Sequence, residues 1–342
     1  MSSENTALDL IAVEAYLRAH LPNFEGPLSA VKYETGQSNP TFLIKTPTRN
    51  YVLRRKPMGV LLKSAHAVER EFRIQKALIA SNVPVAGMHL LCEDEDIIGS
   101  SFYIMDHVVG RNFVEPTLRG LDGSERMQVF ENMGEVLADL HMVDINAVGL
   151  SDYGPAGNYF ERQLARWTKQ YRSTETERIP EMDTLIKELQ STLPLDDGQR
   201  SLVHGDYRID NLIFQNNGTQ CLAVLDWELS TIGHPYSDLA GVIMQWQMPQ
   251  GPEGRGLLGV DREVNNIPSD QEFMDMYCAH RGLPGIESFE FYLAFSFFRM
   301  AGILQGVLKR AMSGNASNPD RAKKLGQYVP LFARHGLDAL SK

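Results

Sequence analysis

Apolar residues recur along this chain with two different periods. Residues 31–34, 41–46 and 51–54 are short runs rich in Val, Ile, Leu, Phe and Tyr, separated by the breaks Gly36-Gln37-Ser38-Asn39-Pro40 and Pro47-Thr48-Arg49-Asn50. Such runs between turn-forming residues predict strands. Residues 7–20 read as an amphipathic helix. Residues 65–81 place Val68, Phe72, Ala77 and Leu78 at helical spacing with Arg, Glu and Lys between them. Val83-Pro84 ends that helix, because proline lacks the N–H that another turn needs. Two further strands are predicted at 88–93 and 101–108, across the polar turn that begins Glu93-Asp94-Glu95-Asp96. After Val109-Gly110 the period changes to helical at 124–142, 158–171, 180–193, 270–282 and 288–312, interrupted by one β-hairpin. The fold class is therefore α+β. A small antiparallel lobe with one helix is expected over residues 1–108 and a larger, mainly helical lobe over 109–342. A cleft between two lobes is a common place for a ligand.

Charge narrows the partners. The 342 residues carry a formal net charge of -10 and a pI near 5.4. Nucleic acid and anionic membranes need a basic face, so neither is expected as the main partner. An anionic small molecule stays open, because a local cluster or a metal can reverse the field. Cys92, Cys221 and Cys278 are widely spaced and form no Cys-x-x-Cys pair. No zinc site or disulfide framework is expected, and a reducing cytoplasm fits best. The opening MSSENTALDL has no apolar core, so no signal peptide is expected. Residues 289–308 come nearest to a membrane span, but Glu290, Arg299 and Gln305 interrupt them and a buried helix is the better reading.

The segment from Leu202 to Phe214 carries the chemistry. An apolar entry leads to His204-Gly205-Asp206, and Asn211 follows five residues after Asp206. A strand to Phe214, the turn Gln215-Asn216-Asn217-Gly218 and the strand Cys221-Leu222-Ala223-Val224-Leu225-Asp226 then form a hairpin, for which Asn-Gly is a strong signal. If Phe214 faces about Cys221, Asp226 returns level with the Asp210–Asn211 end of the first strand. Asp206, Asn211 and Asp226 are then expected to converge. Hard cations such as Mg²⁺ take oxygen ligands and combine a few protein oxygens with substrate phosphates. Asp206 is left to accept a proton from an incoming hydroxyl.

This arrangement resembles the kinase catalytic loop and its later metal-binding aspartate. His204-Gly205-Asp206 with Asp226-Trp227-Glu228 is similar to the aminoglycoside phosphotransferase and choline kinase group more than to protein kinases. Gly36-Gln37-Ser38-Asn39-Pro40-Thr41 and Leu53-Arg54-Arg55-Lys56-Pro57 extend the likeness to the branch that includes the kinase-like domain attached to some acyl-CoA dehydrogenases. The resemblance covers nearly the whole chain. It implies a bilobal protein-kinase-like fold, ATP with Mg²⁺, and a small-molecule hydroxyl as acceptor, with a hydroxylated acyl thioester suggested by that branch. It implies Asp206 as the base and Asn211 and Asp226 as metal ligands. Gly36, Gln37, Ser38 and Asn39 become the loop over the phosphates. Glu71 becomes the ion-pairing glutamate, and Met105, His107 and Val108 the hinge that receives the adenine. One position departs: Arg54 stands where the family carries its phosphate-binding lysine, with Lys56 as the alternative. Arg is a planar fork and Lys a point charge, so the two are not equivalent.

Simpler roles compete at several positions. His204 is expected to hold the loop by hydrogen bonds, and Asp238 to be an N-cap or an anchor for that loop. His141 reads as a helix-end capping group. Glu228 and Asp210 are either substrate or metal contacts or solvated residues. The aromatic residues between Phe289 and Phe298 read mostly as core. Two other functions compete. A nucleotide-binding pseudokinase acting as sensor or scaffold is favoured by Arg54. A metal-dependent hydrolase built on His204, Asp206 and Asp226 lacks the additional histidines such sites usually carry.

Overall fold

The computed structural model describes residues 8–34, 39–58, 66–251, 255–315 and 318–341. Contacts divide the chain into two compact units: residues up to Asn112 with Asn146–Leu150 and Asn211–Ser230, and the remainder. The expected boundary at 108/109 is thus displaced. The reason is a strand pairing: β6 (Arg111–Asn112) is hydrogen-bonded to β8 (Leu212–Phe214), which draws the central hairpin into the first unit.

The first unit is built on a five-stranded antiparallel sheet. Its strands are β1 (Ser29–Lys32), β2 (Thr41–Lys45), β3 (Asn50–Arg55), β4 (Met88–Cys92) and β5 (Phe102–Asp106), in the order β1-β2-β3-β5-β4. The β2–β3 turn is closed by Thr46, whose hydroxyl donates to the Arg49 carbonyl and accepts the Arg49 N–H. Alternation along the strands sends Phe42, Ile44, Leu53, Phe102 and Ile104 to one face. There they bury Val13 and Leu17 of α1 (Leu10–His20). The other face receives α2 (Val68–Leu78), which packs Val68 and Phe72 on Tyr103. Arg54 follows Leu53 and points to the α2 side. A second sheet, β6-β8-β9, contains the hairpin of β8 and β9 (Cys221–Val224), in which Phe214 pairs with Cys221 and Leu212 with Val224.

The second unit is helical. Its helices are α3 (Gly123–Met142), α4 (Tyr159–Thr174), α5 (Pro180–Ser191), α6 (Tyr236–Trp246), α7 (Asp270–Arg281), α8 (Phe289–Met312), α9 (Pro319–Gly326) and α10 (Val329–Leu340). Reciprocal capping boxes, Asp122 with Glu125 and Ser269 with Glu272, start α3 and α7, each satisfying otherwise unpaired N–H groups. β7 (Ser201–Val203) and β10 (Thr231–Gly233) form a two-stranded antiparallel ribbon. α8 is long and apolar enough to cross a membrane, but 72% of its apolar window is buried inside the structure. Phe160 of α4 packs among Phe291, Tyr292 and Phe295 of α8, with ring centroids 5.0–5.5 Å apart. These aromatic residues are core, as their spacing predicts. The helices α6, α9 and α10 were not predicted.

Candidate active site

In the first unit, the hairpin fixes two of the expected metal ligands. The Leu225 N–H donates to the Asn211 carbonyl at 2.8 Å, so Asn211 and the start of the Asp226 turn lie at the same end of the ladder. Asp226 has φ +65°, a left-handed conformation uncommon outside glycine. The bend is held by Trp227, which is buried and donates its indole N–H to the Val224 carbonyl at 2.9 Å.

Arg54 is the centre of this site. Its Nε is 2.9 Å from Glu71 Oε2, its Nη2 donates to Asp226 Oδ1 at 3.0 Å, and Glu228 Oε2 is 3.6 Å away. Three carboxylates from α2 and the Asp226 turn thus share one guanidinium. Glu71 is further held by the Tyr103 hydroxyl at 3.1 Å and by the Asn39 amide at 2.7 Å. His66 Nδ1 lies 3.0 Å from Asn39 Oδ1. Lys56 pairs instead with Glu69, at 2.9 Å, so Arg54 and not Lys56 meets Glu71.

Burial pushes the Glu71 carboxyl up to about 7, against the pull of Arg54 and with the help of Asp226. Burial also opposes the charge on Arg54, but Glu71, Tyr103, Asp226 and Glu228 outweigh it and raise the proton affinity of the guanidinium.

The other residues expected at the nucleotide are distributed as follows. Gly36, Gln37 and Ser38 lie outside the described residues, whereas Asn39 is buried with its side chain on Glu71. Met105 packs against the Val68, Phe72 and Tyr103 cluster. The Asp106 N–H is taken by the Gly87 carbonyl at 2.8 Å. His107 and Val108 are half-buried.

In the second unit, Asp238 anchors the loop that carries Asp206. Its Oδ2 accepts the His204 N–H at 2.6 Å and its Oδ1 accepts the Gly205 N–H at 2.8 Å. Asp238 lies in the first turn of α6 but is not its N-cap, which is Pro235. Gly205 has φ +83°, and Arg299 of α8 donates to its carbonyl at 2.9 Å. The Asp206 N–H donates to His204 Nδ1 at 3.2 Å, which closes the loop on a fully buried histidine. The Asp206 carboxylate is 34% exposed and lies 3.4 Å from Arg208 Nε. Asp210 is no solvated turn residue: it pairs with Arg208 at 3.3 Å and with Arg255. His141 corrects another expectation. Its ring does not cap α3 but lies 2.7 Å from the Tyr277 hydroxyl and 3.4 Å from Asp238.

Sequence reasoning missed Tyr103, Arg208, Arg255, Arg299, Tyr277 and Arg281. Only Arg208, flanked by Asp206 and Asp210, carried a local hint.

Among the described residues no three His, Cys, Asp or Glu side chains gather to hold a metal by themselves. The donor set of Asn211 and Asp226 is all oxygen. It suits a hard cation whose other ligands come from phosphate and water.

The family model of the phosphotransferase enzyme family matches residues 29–277. The chain belongs to that family. A crystal structure of a Ralstonia eutropha JMP134 protein, provisionally named an aminoglycoside phosphotransferase, superposes on this family member with a TM-score of 0.89. It is 45% identical and covers 97% of this chain and 98% of its own. Mouse acyl-CoA dehydrogenase family member 10 is 44% identical over 97% of this phosphotransferase-family chain, which spans only 31% of that relative's length. The aminoglycoside phosphotransferase APH(4)-Ia, solved with AMP-PNP and hygromycin B, shares the fold at a TM-score of 0.61 and 17% identity. That match covers 95% of this chain and 98% of the other. The fold is the protein-kinase-like one, and the branch is the kinase-like one related to the acyl-CoA dehydrogenase family members.

Proposed function

We infer that this chain moves the terminal phosphoryl group of ATP to a hydroxyl on a small molecule. The hairpin is the observation that carries this reading: the bond from the Leu225 N–H to the Asn211 carbonyl sets two oxygen-bearing side chains, Asn211 and Asp226, at one end of the ladder. Arg54 stands in place of the expected lysine and reaches Glu71. Phosphoryl transfer asks a protein mainly for positioning and charge neutralisation. In this reading Asp206 orients the acceptor hydroxyl and takes its proton. Asp238, through the His204 and Gly205 N–H groups, keeps the Asp206 loop in one conformation. Arg54 orients Glu71 and grips phosphate oxygens with its planar fork. Asn211 and Asp226 hold Mg²⁺, which when bound neutralises charge on the phosphates. Glu228 helps order Arg54, Asp210 orders Arg208 and Arg255, and Gly36 to Asn39, Met105, His107 and Val108 contribute to nucleotide binding.

The acceptor in this reading is a hydroxyacyl-CoA-like metabolite. Arg208, Arg255 and Arg299 lie along the Asp206 loop. Guanidinium groups favour an anionic acceptor and disfavour a polycation such as an aminoglycoside. The name of the mouse relative points to the same chemistry. The free, buried Cys92, Cys221 and Cys278 suit a reducing cytoplasm.

The second reading is a nucleotide-binding pseudokinase, and the contact of Arg54 with Asp226 favours it, because it engages an oxygen that the metal would need. The experiment measures ADP release by the purified chain with ATP, Mg²⁺ and a panel of hydroxyacyl thioesters, simple alcohols and aminoglycosides. Turnover with a thioester, reduced at least about 100-fold in Asp206→Asn, is expected for a general base. Turnover that survives Asp206→Asn overturns the assignment. Nucleotide binding without turnover of any acceptor favours the pseudokinase.

A further inference from the structure

The hydrogen bonds behind the Asp238 anchor continue into α7, and they have a direction. Arg281 Nη1 donates to the Tyr277 hydroxyl at 2.7 Å, that hydroxyl lies 2.7 Å from His141 Nδ1, and His141 Nε2 lies 3.4 Å from Asp238 Oδ2. Tyr277 is fully buried, and His141 and Asp238 nearly so. A guanidinium only donates, an ionised carboxylate only accepts, and a tyrosine has one proton to give. Asp238 therefore asks His141 for a proton on Nε2. If His141 also carried a proton on Nδ1, the Tyr277 oxygen would receive two N–H groups and its own proton would point at neither. The arrangement that uses every donor has a neutral His141 with its proton on Nε2, accepting the Tyr277 O–H at Nδ1. Each bond from Arg281 onward then donates toward Asp238, which also accepts the His204 and Gly205 N–H groups of the Asp206 loop.

The geometry assigns Tyr277 and Arg281 as positioning residues for that loop. α7 selects the His141 tautomer that donates to Asp238, and Asp238 then presents both oxygens to the His204 and Gly205 N–H groups. Without Tyr277, only the 3.4 Å contact with Asp238 favours a proton on Nε2, and the buried Nδ1 loses the hydroxyl beside it, so the ring is freer to take a second proton or to change tautomer. Burial lowers the proton affinity of His141, and the nearby Arg281 charge adds to that, while Asp238 opposes it. The hydrogen bonds above call for the same neutral ring. Burial would raise the Asp238 carboxyl, but its bonds to His141 and the loop hold it below its ordinary value. The catalytic part of this inference rests on Asp206 as the base; the tautomer does not.

The test labels the histidines of the full chain with ¹⁵N and reads the His141 ring nitrogens by NMR, alongside kcat and KM for ATP. The wild type should show a neutral ring protonated on Nε2 around neutral pH. Tyr277→Phe should give mixed tautomers or a charged ring, and lower kcat about tenfold with KM unchanged, since losing one hydrogen bond is worth roughly that factor. Arg281→Gln should move both readouts the same way by less, and Arg281→Lys should restore them. A proton on Nδ1 in the wild type overturns the relay, as does a Tyr277→Phe protein with the wild-type tautomer. If Tyr277→Phe fails to fold, the Arg281→Gln and Arg281→Lys pair decides the question. If the wild type turns over no nucleotide with any acceptor, the catalytic reading fails and the tautomer alone decides the relay.

Discussion

Glu71 and Asp238 are both buried carboxylates beside loops proposed to act, and burial alone would raise both. Glu71 is raised to about 7, whereas Asp238 ends below its ordinary value. Each has three groups within reach, so the difference lies in the charges nearby. Asp238 faces two backbone N–H groups and an imidazole. Among the described residues Glu71 pairs with one cation, Arg54, which it shares with Asp226 and Glu228. An anchor is thus made by donors it does not share, and a group with adjustable charge by neighbouring anions. Only the latter is suited to a site that must admit further positive charge.

The largest effect should follow from Asp238→Ala. It leaves two buried N–H groups and His141 without their acceptor. Each buried donor left without an acceptor costs about 1–3 kcal/mol, so the loss should be at least about 3 kcal/mol, to be read from urea unfolding. A loss below about 1 kcal/mol would show that the loop is held by something else.

Arg54→Ala should come next, at about 3 kcal/mol above pH 7, because it strands Glu71 among two other carboxylates. Near pH 5 the penalty should shrink, since Glu71 can take a proton. A penalty equal at both pH values would contradict the shared-cation picture. Arg54→Lys keeps the charge but loses the fork that spans Glu71 and Asp226, and should cost about 1 kcal/mol.

The smallest expected change in stability, within about 1 kcal/mol, is that of Glu71→Gln, yet it sharpens the comparison most. Between its ordinary value of 4.5 and about 7, the folded protein keeps a proton on Glu71 that the unfolded chain has released. That contribution is complete below 4.5 and is lost as pH rises through about 7. The Asp238 contribution has the opposite sign: it is present above its ordinary 3.8 and is lost as pH falls through its lower folded value. Metal-free unfolding curves over this range should show the Glu71 slope in the wild type and not in Glu71→Gln.

Much of this was legible in the sequence because it is local. The Asn217-Gly218 turn determines the pairing of Phe214 with Cys221, and the pairing brings Asn211 level with the Asp226 turn. The place of Glu71 on its helix, shortly before Val83-Pro84, matched that of the ion-pairing glutamate in the family the chain resembles. What was missed depends on distant contacts. Arg54 meets a carboxylate 172 positions away, and His141 a tyrosine 136 positions away. Neither distance leaves a periodic trace. α6 was hidden because its N-cap is Pro235 with no side-chain cap bond, and its burial comes from tertiary packing. α9 and α10 carry proline in their first turn, which suits a helix start, but they are short, and α10 has Gly336 within it.

The hairpin of β8 and β9 works like a pair of tweezers joined at the far end. Its open jaws carry Asn211 and the Asp226 turn, and main-chain bonds such as that from the Leu225 N–H to the Asn211 carbonyl set their spacing. The exposed Asn216 at the joint, outside the Asn217-Gly218 pair that sets the register, is therefore where a fluorophore could be attached with the jaws left at their present width.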